Sequence, residues 1–228
     1  MKKRISALIA LSLIVPAPSL GVYMGMIVAP DTGFGQICFL LSKIWLFAFP
    51  LVWLLLVQRE KLSFSLPKRG GLVVGAVIGM IIGLLITGAY LFIGRNLIDP
   101  SSVCESILGI GLSTPAIYIA GALYWILINS VLEEYVWRWF VTEKCTVLFP
   151  GVFGIVLSSL AFTLHHIVAL QVHFNWLIAI IASAGVFIGG VIWSWCYIHY
   201  KSIWPGYVSH ALVDVAVFVI GYNLTFCQ

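Results

Sequence analysis

Seven apolar runs, each about as long as a bilayer is thick, leave this chain few folds to choose from. They cover approximately residues 5–29, 36–57, 71–94, 114–137, 150–172, 175–199 and 203–222. An α-helix rises about 1.5 Å per residue, so roughly 20 residues cross the ~30 Å hydrocarbon core of a membrane. The strands of a membrane barrel would alternate polar and apolar residues; these runs do not, which leaves helices. Only 9% of the residues are charged and 62% are hydrophobic, whereas a soluble domain carries roughly 25% charged residues. The fold class is therefore all-α, a polytopic membrane protein of about seven transmembrane helices.

Lysine and arginine set the orientation. With the N-terminus inside, the inner segments hold Lys2, Lys3, Arg4, Arg59, Lys61, Lys68, Arg69, Arg138, Lys144 and Lys201. The outer segments hold only Arg95, with the acids Asp31, Asp99 and Glu105, while Lys43 falls inside the second run near its outer end. This asymmetry predicts N-terminus in and C-terminus out. The opening stretch "MKKRISALIALSLIVPAPSL" has the layout of a secretory signal, but the apolar run continues past its small residues without an A-x-A site, so a retained first helix is expected. The chain divides into residues 1–113 with the first three helices, 114–222 with the later four, and a short tail at 223–228.

The net charge of +4 is accounted for by topology, and no nucleic-acid partner is expected; membrane lipids are the surroundings the composition demands. The cysteines Cys38, Cys104, Cys145, Cys196 and Cys227 form no C-x-x-C pair, so a thiolate metal site is not expected. Helix three places Gly75, Gly79 and Gly83 at four-residue spacing, a pattern for close helix packing.

Ionisable residues inside a span cost about 2.5–3.5 kcal/mol each on insertion scales, and they usually face the protein interior and serve a function. Helix four carries Glu133, Glu134 and Arg138. Glu134 and Arg138 are four apart and share a face, so they are expected to pair, leaving Glu133 free as a base. The plainer reading is a polar cluster marking the helix end. Helix five carries His165 and His166, with Phe162 four residues before His166. Helix seven carries His210 and Asp214, again on one face, so that Asp214 is placed to orient the His210 ring. A carboxylate and imidazoles gathered from three helices are suited to activating water. No G-x-S-x-G, G-x-G-D or H-E-x-x-H stretch occurs, so serine, presenilin-like aspartyl and zincin sites have no support.

The segments "EEYVWR", "FTLHH" and "HALVD" read as E-E-x-x-x-R, F-x-x-x-H and H-x-x-x-[N/D], in that order on separate late helices. In this the chain resembles the CPBP (CAAX protease and bacteriocin-processing, or Abi) family of intramembrane proteases, which includes the type II CAAX prenyl endopeptidases. The motifs span about residues 114–222. The resemblance implies a CAAX-protease-like helical bundle and an intramembrane endopeptidase acting on a membrane-anchored or lipidated peptide. It implies that Glu133 and His166 activate the attacking water and that His210 and Asp214 attend the oxyanion, with Glu134, Arg138 and Phe162 ordering the site. Prenyl endopeptidases carry Asn where this chain has Asp214, and an ionised Asp cannot donate to an oxyanion. The glutamate–histidine mechanism requires no cofactor, although Glu133, His166 and His210 are also candidate ligands for zinc. The active site is expected toward the cytoplasm of a cell inner membrane or an ER-type membrane. A non-catalytic immunity or scaffold protein of the same fold is the alternative function, and a proton-relay transporter a more distant one.

Overall fold

The computed structural model describes residues 2–30, 32–61 and 71–227. Lys68, Arg69 and Asp31, used above for orientation, lie outside the described residues. The chain is all-helical among those described, and it is an integral, multi-pass membrane protein. Seven helices are long and apolar enough to cross a membrane: α1 (Lys2–Val28), α2 (Gly33–Gln58), α3 (Gly71–Leu97), α5 (Pro115–Leu148), α6 (Val152–His173), α7 (Trp176–Tyr200) and α8 (Trp204–Phe226). A shorter helix, α4 (Pro100–Gly109), joins α3 to α5. Asp99 caps α4 by accepting from the Ser101 amide, and Thr114 caps α5 by accepting from Ile117.

Two helix ends differ from the sequence reading. The last helix continues to Phe226, so most of the tail placed at 223–228 is helical. The helix drawn to residue 137 runs on to Leu148. The sequence pattern puts Arg138 at the inner edge, just past the end of the hydrophobic run. It is instead fully buried, paired with Glu134 and covered by aromatic rings. A charge so compensated does not have to stop the helix. From Glu134 to Thr142 the helix widens to π-helical turns, and the Thr142 hydroxyl donates to the Trp137 carbonyl five residues back at 2.8 Å.

The longer helix changes the depth of the site. Counted from the sequence, Glu133 is shallow and His166 deep. In the fold, Glu133 lies roughly four turns from Leu148 and His166 roughly four turns from Val152, so the two meet at one level. His210, in the second turn of α8, joins that level through its contact with Glu134 of α5.

The core gathers Ala10 and Ile14 of α1, Leu46, Phe49 and Trp53 of α2, and Val136, Trp137, Phe140 and Val141 of α5, with Phe162, Trp193 and Val213 from the last three helices. At one end of the bundle Arg4 donates to the Leu148 carbonyl and Lys144 to Gln58, both at 2.8 Å. The basic ends of α1, α2 and α5 thus share a face, as the positive-inside pattern requires.

Helix α3 buries Gly71, Gly75, Gly79 and Gly83 along α8. A Cβ on Gly75 would overlap the Pro205 carbonyl oxygen, and one on Gly79 would sit 2.8 Å from the Ser209 Cα, whereas Gly88 faces open space. Gly75→Val and Gly79→Val are expected to cost about 1–3 kcal/mol, or roughly 2–12 °C in Tm for a chain of this size. Gly88→Ala should leave Tm unchanged or raised. Thermal unfolding in detergent, followed by tryptophan fluorescence, checks this; equal melting of all three variants would refute the packing.

Candidate functional site

The buried polar cluster grows from one turn of α5. Glu134 and Arg138 sit four apart on that helix and are both fully buried. The Arg138 Nε donates to Glu134 Oε1 at 3.3 Å. The guanidinium lies over the rings of Phe162, 4.4 Å from its centroid, and Trp193, 5.4 Å away, contacts that offset part of its desolvation. The same carboxylate oxygen is 3.1 Å from Nδ1 of His210 on α8. Glu134 therefore ties α5 to α8 as well as neutralising Arg138. The expected pair is present, with a third member that helical spacing had not indicated.

His210 was expected to take its orientation from Asp214. The contacts assign that part to Glu134: Asp214 Oδ1 is 3.8 Å from His210 Nε2, too far for a hydrogen bond, while Glu134 holds Nδ1 at 3.1 Å. Asp214 Oδ2 instead accepts from the Ser130 hydroxyl at 2.6 Å. The His210 ring is further fixed by stacking on Trp193, 4.1 Å between centroids at 15°. The Trp193 indole N–H donates to Ser209 at 2.9 Å.

Glu133 points to the other side of the turn. Its Oε1 accepts from Asn129 Nδ2 at 3.0 Å, and its Oε2 lies 3.8 Å from His210 Nε2. Glu133 is thus not as free as the sequence implied, but only one oxygen has a close hydrogen bond. From α6, His165 and His166 each bring a ring nitrogen, and these atoms and a Glu133 oxygen all lie within 4.8 Å of one another. His166 Nδ1 is 3.0 Å from the Phe162 carbonyl. His165 stacks on Trp137 at 6° between rings, and its Nδ1 is buried with no hydrogen-bond partner. Phe162 sits at the centre, against His166 at 4.5 Å, beneath Arg138 and beside Trp137 at 5.5 Å.

The structure therefore gathers Glu133, Glu134, Arg138, Phe162, His166, His210 and Asp214 at one level of the bundle. Sequence reading missed several further members. Asn129 precedes Glu133 by four residues and was legible in principle. Ser130, Trp193 and Gly206 act through space: a Cβ on Gly206 would strike the Glu134 carboxylate, so only glycine lets the α8 backbone approach it. His165, named beside His166 on helix five but given no role there, also lines the site. For a metal, the compact donor group is Glu133, His165 and His166, with His165 in the place the sequence reading gave to His210. Two imidazoles and a carboxylate form a donor set suited to zinc.

Residues 115–216 match the family model described as type II CAAX prenyl endopeptidase Rce1-like. No curated protein and no solved structure matches the chain.

Removing one member of a buried ion pair strands the other, at a cost of about 3–5 kcal/mol. Arg138→Leu is expected to lower Tm strongly and to reduce the yield of folded protein. Glu134→Leu combined with Arg138→Leu should recover part of that loss, because no uncompensated charge remains. Melting curves of the two single variants and the double variant give the coupling, and additive losses would contradict it.

Proposed function

We propose that this membrane protein, whose residues 115–216 match the Rce1-like type II CAAX prenyl endopeptidase model of a protease family, is an intramembrane endopeptidase. Its substrate is a membrane-associated peptide, lipidated or CAAX-like, that reaches the site from the cytoplasmic side. The observation that carries this reading is the approach of Glu133 to a ring nitrogen of His166 within 4.8 Å. Atoms at that separation can both hydrogen-bond one water, since each bond requires only about 2.8 Å.

In this mechanism Glu133 takes a proton from the water as its oxygen attacks the peptide carbonyl. Asn129 holds one Glu133 oxygen and leaves the other for this task. His166 positions the water by hydrogen bonding, its ring fixed by the Phe162 carbonyl. The carbonyl oxygen gains negative charge and is met by an N–H from His210 Nε2, whose other nitrogen is held by Glu134. Glu133 then returns its proton to the leaving amine as the tetrahedral adduct collapses. Asp214, an acceptor from Ser130, serves as a positioning residue for this end of the site. These steps require no cofactor. A zinc ion bound by Glu133, His165 and His166 would supply Lewis-acid polarisation of the water at the same place.

Cleavage of farnesylated and unmodified peptides by the protein in liposomes tests the reading. Glu133→Gln should retain its fold and lose about 10²–10⁴-fold in rate; a variant that still cuts would turn the assignment toward a non-catalytic peptide-binding protein. Asp214→Asn should keep activity, because the amide still accepts from Ser130 and adds a donor. Asp214→Ala should lower activity, since the Ser130 hydroxyl then keeps only the Trp125 carbonyl of its own helix and no longer ties α5 to α8 here. Chelator treatment leaves the rate unchanged in the metal-free mechanism, and a loss restored by zinc would assign the ion to the Glu133, His165 and His166 set.

A further inference from the structure

The hairpin of α6 and α7 is tight beside the polar cluster and loose at its far end. Next to Phe162 the helices close on Gly190 of α7, where an added Cβ would sit 3.2 Å from the Ser159 Cβ. Toward the turn at Phe174 and Asn175, α7 presents the small residues Ala179 and Ser183 to α6, whose Ile167 and Gln171 are four apart on the opposing face. These side chains do not fill the space between them. A cavity of about 140 Å³ remains, bounded also by Trp176 and Ile180. Those two are 68% and 63% exposed, so the cavity opens on the lipid-facing side of the hairpin. Two polar side chains line it. Ser183 is only 7% exposed, and the Gln171 Nε2 is buried as well; among the described residues neither Nε2 nor the Ser183 hydroxyl has a hydrogen-bond partner. None of the described residues that line the cavity is charged.

Side chains on a helix lean toward its N-terminus. Helices α6 and α7 run in opposite directions, so Gln171 leans away from the turn and Ser183 toward it, and their polar ends converge on the cavity. Hydrocarbon offers neither of them a partner. An amide nitrogen only donates and a hydroxyl can donate, and apolar walls hold no charge to attract an ion. The group that fits is a neutral acceptor carried on an apolar chain. The bilayer supplies one: the ester carbonyl at the head of an acyl chain. Gln171 is two residues, about 3 Å, from the end of α6, near the boundary between hydrocarbon and headgroups where those esters lie. The space is comparable to cavities of about 150 Å³ that admit a benzene-sized molecule, which is room for an ester and its first methylenes. We propose that this cavity is a lipid-binding site, in the leaflet opposite the basic ends of α1, α2 and α5, that holds a diacyl glycerolipid by an ester carbonyl. It is separate from the catalytic cluster, since Ser183 precedes Gly190 by seven residues, about 10 Å along α7. The competing occupant is water, which would satisfy both groups without any preference among lipids.

The test places the full chain in nanodiscs made from equal parts of a diacyl phosphatidylcholine and its dialkyl ether analogue, matched in headgroup and chain length. Native mass spectrometry of the released protein counts the lipids it retains. The ether lacks the carbonyls and differs in nothing else. Wild type is expected to retain the ester over the ether about 5- to 10-fold, the range for one or two neutral hydrogen bonds. Ser183→Ala and Gln171→Leu should each lower the ratio, and the double variant should bring it close to one. Ser183→Leu, which fills the cavity with apolar atoms, should remove the preference and lower the number of lipids retained. All variants are checked for native melting; Ser183→Ala removes a single oxygen, so its ratio decides even where a bulkier change lowers Tm. Equal retention of ester and ether by wild type overturns the proposal and is the result expected of a water-filled cavity. An undiminished preference in Ser183→Ala and in the double variant also overturns it, because the ester is then held elsewhere. So does wild type that retains no lipid.

Discussion

The organisation of this bundle rests on one buried carboxylate. Glu134 Oε1 receives Arg138 Nε from its own helix and faces His210 Nδ1 from α8. An isolated carboxylate or guanidinium in a low-dielectric interior is strongly disfavoured, and each tolerates burial here because the other is present. The rings of Phe162 and Trp193 close over the guanidinium, and Gly206 lets the α8 backbone come near enough for the carboxylate to reach His210. Helix α5 can then continue through a stretch that reads as a helix end. That continuation sets the depth of Glu133, and with it the level at which α5, α6 and α8 bring their polar groups together.

The sequence contained what lies along a single helix. Four-residue spacing correctly paired Glu134 with Arg138 and placed Phe162 against His166, and run length gave seven crossing helices. It did not contain the register between helices, which is set by side-chain volumes across an interface. Hence the Ser130–Asp214 bond, the Glu134–His210 contact and the cover of Trp193 were not legible, nor was the need for glycine at 206. Shared face also proved insufficient for a hydrogen bond: His210 and Asp214 are four apart, yet Nε2 and Oδ1 are 3.8 Å apart, and each residue has a closer partner elsewhere. That His165 joins His166 at the site was not legible for a related reason. Adjacent residues point about 100° apart on an ideal helix, but both rings reach the Glu133 side, where His165 is drawn over Trp137 by stacking.

The position of Asp214 follows from the same competition. Ser130 occupies one of its oxygens at 2.6 Å, and the other faces His210 Nε2 without a hydrogen bond. An amide at this place would satisfy Ser130 through its carbonyl and present N–H groups to the space beside Nε2. A carboxylate presents only acceptors, so in this chain any donor to a developing oxyanion at this point must come from His210 itself. With Nδ1 engaged by Glu134, donation from Nε2 requires a proton on each ring nitrogen. The proposed mechanism therefore has His210 donate as an imidazolium, set among Glu133, Glu134 and Asp214. On the proposed endopeptidase reading, the buried carboxylate that lets α5 pass through the core is also the group that holds His210 as the donor, and Glu133 and His166 are left for the water.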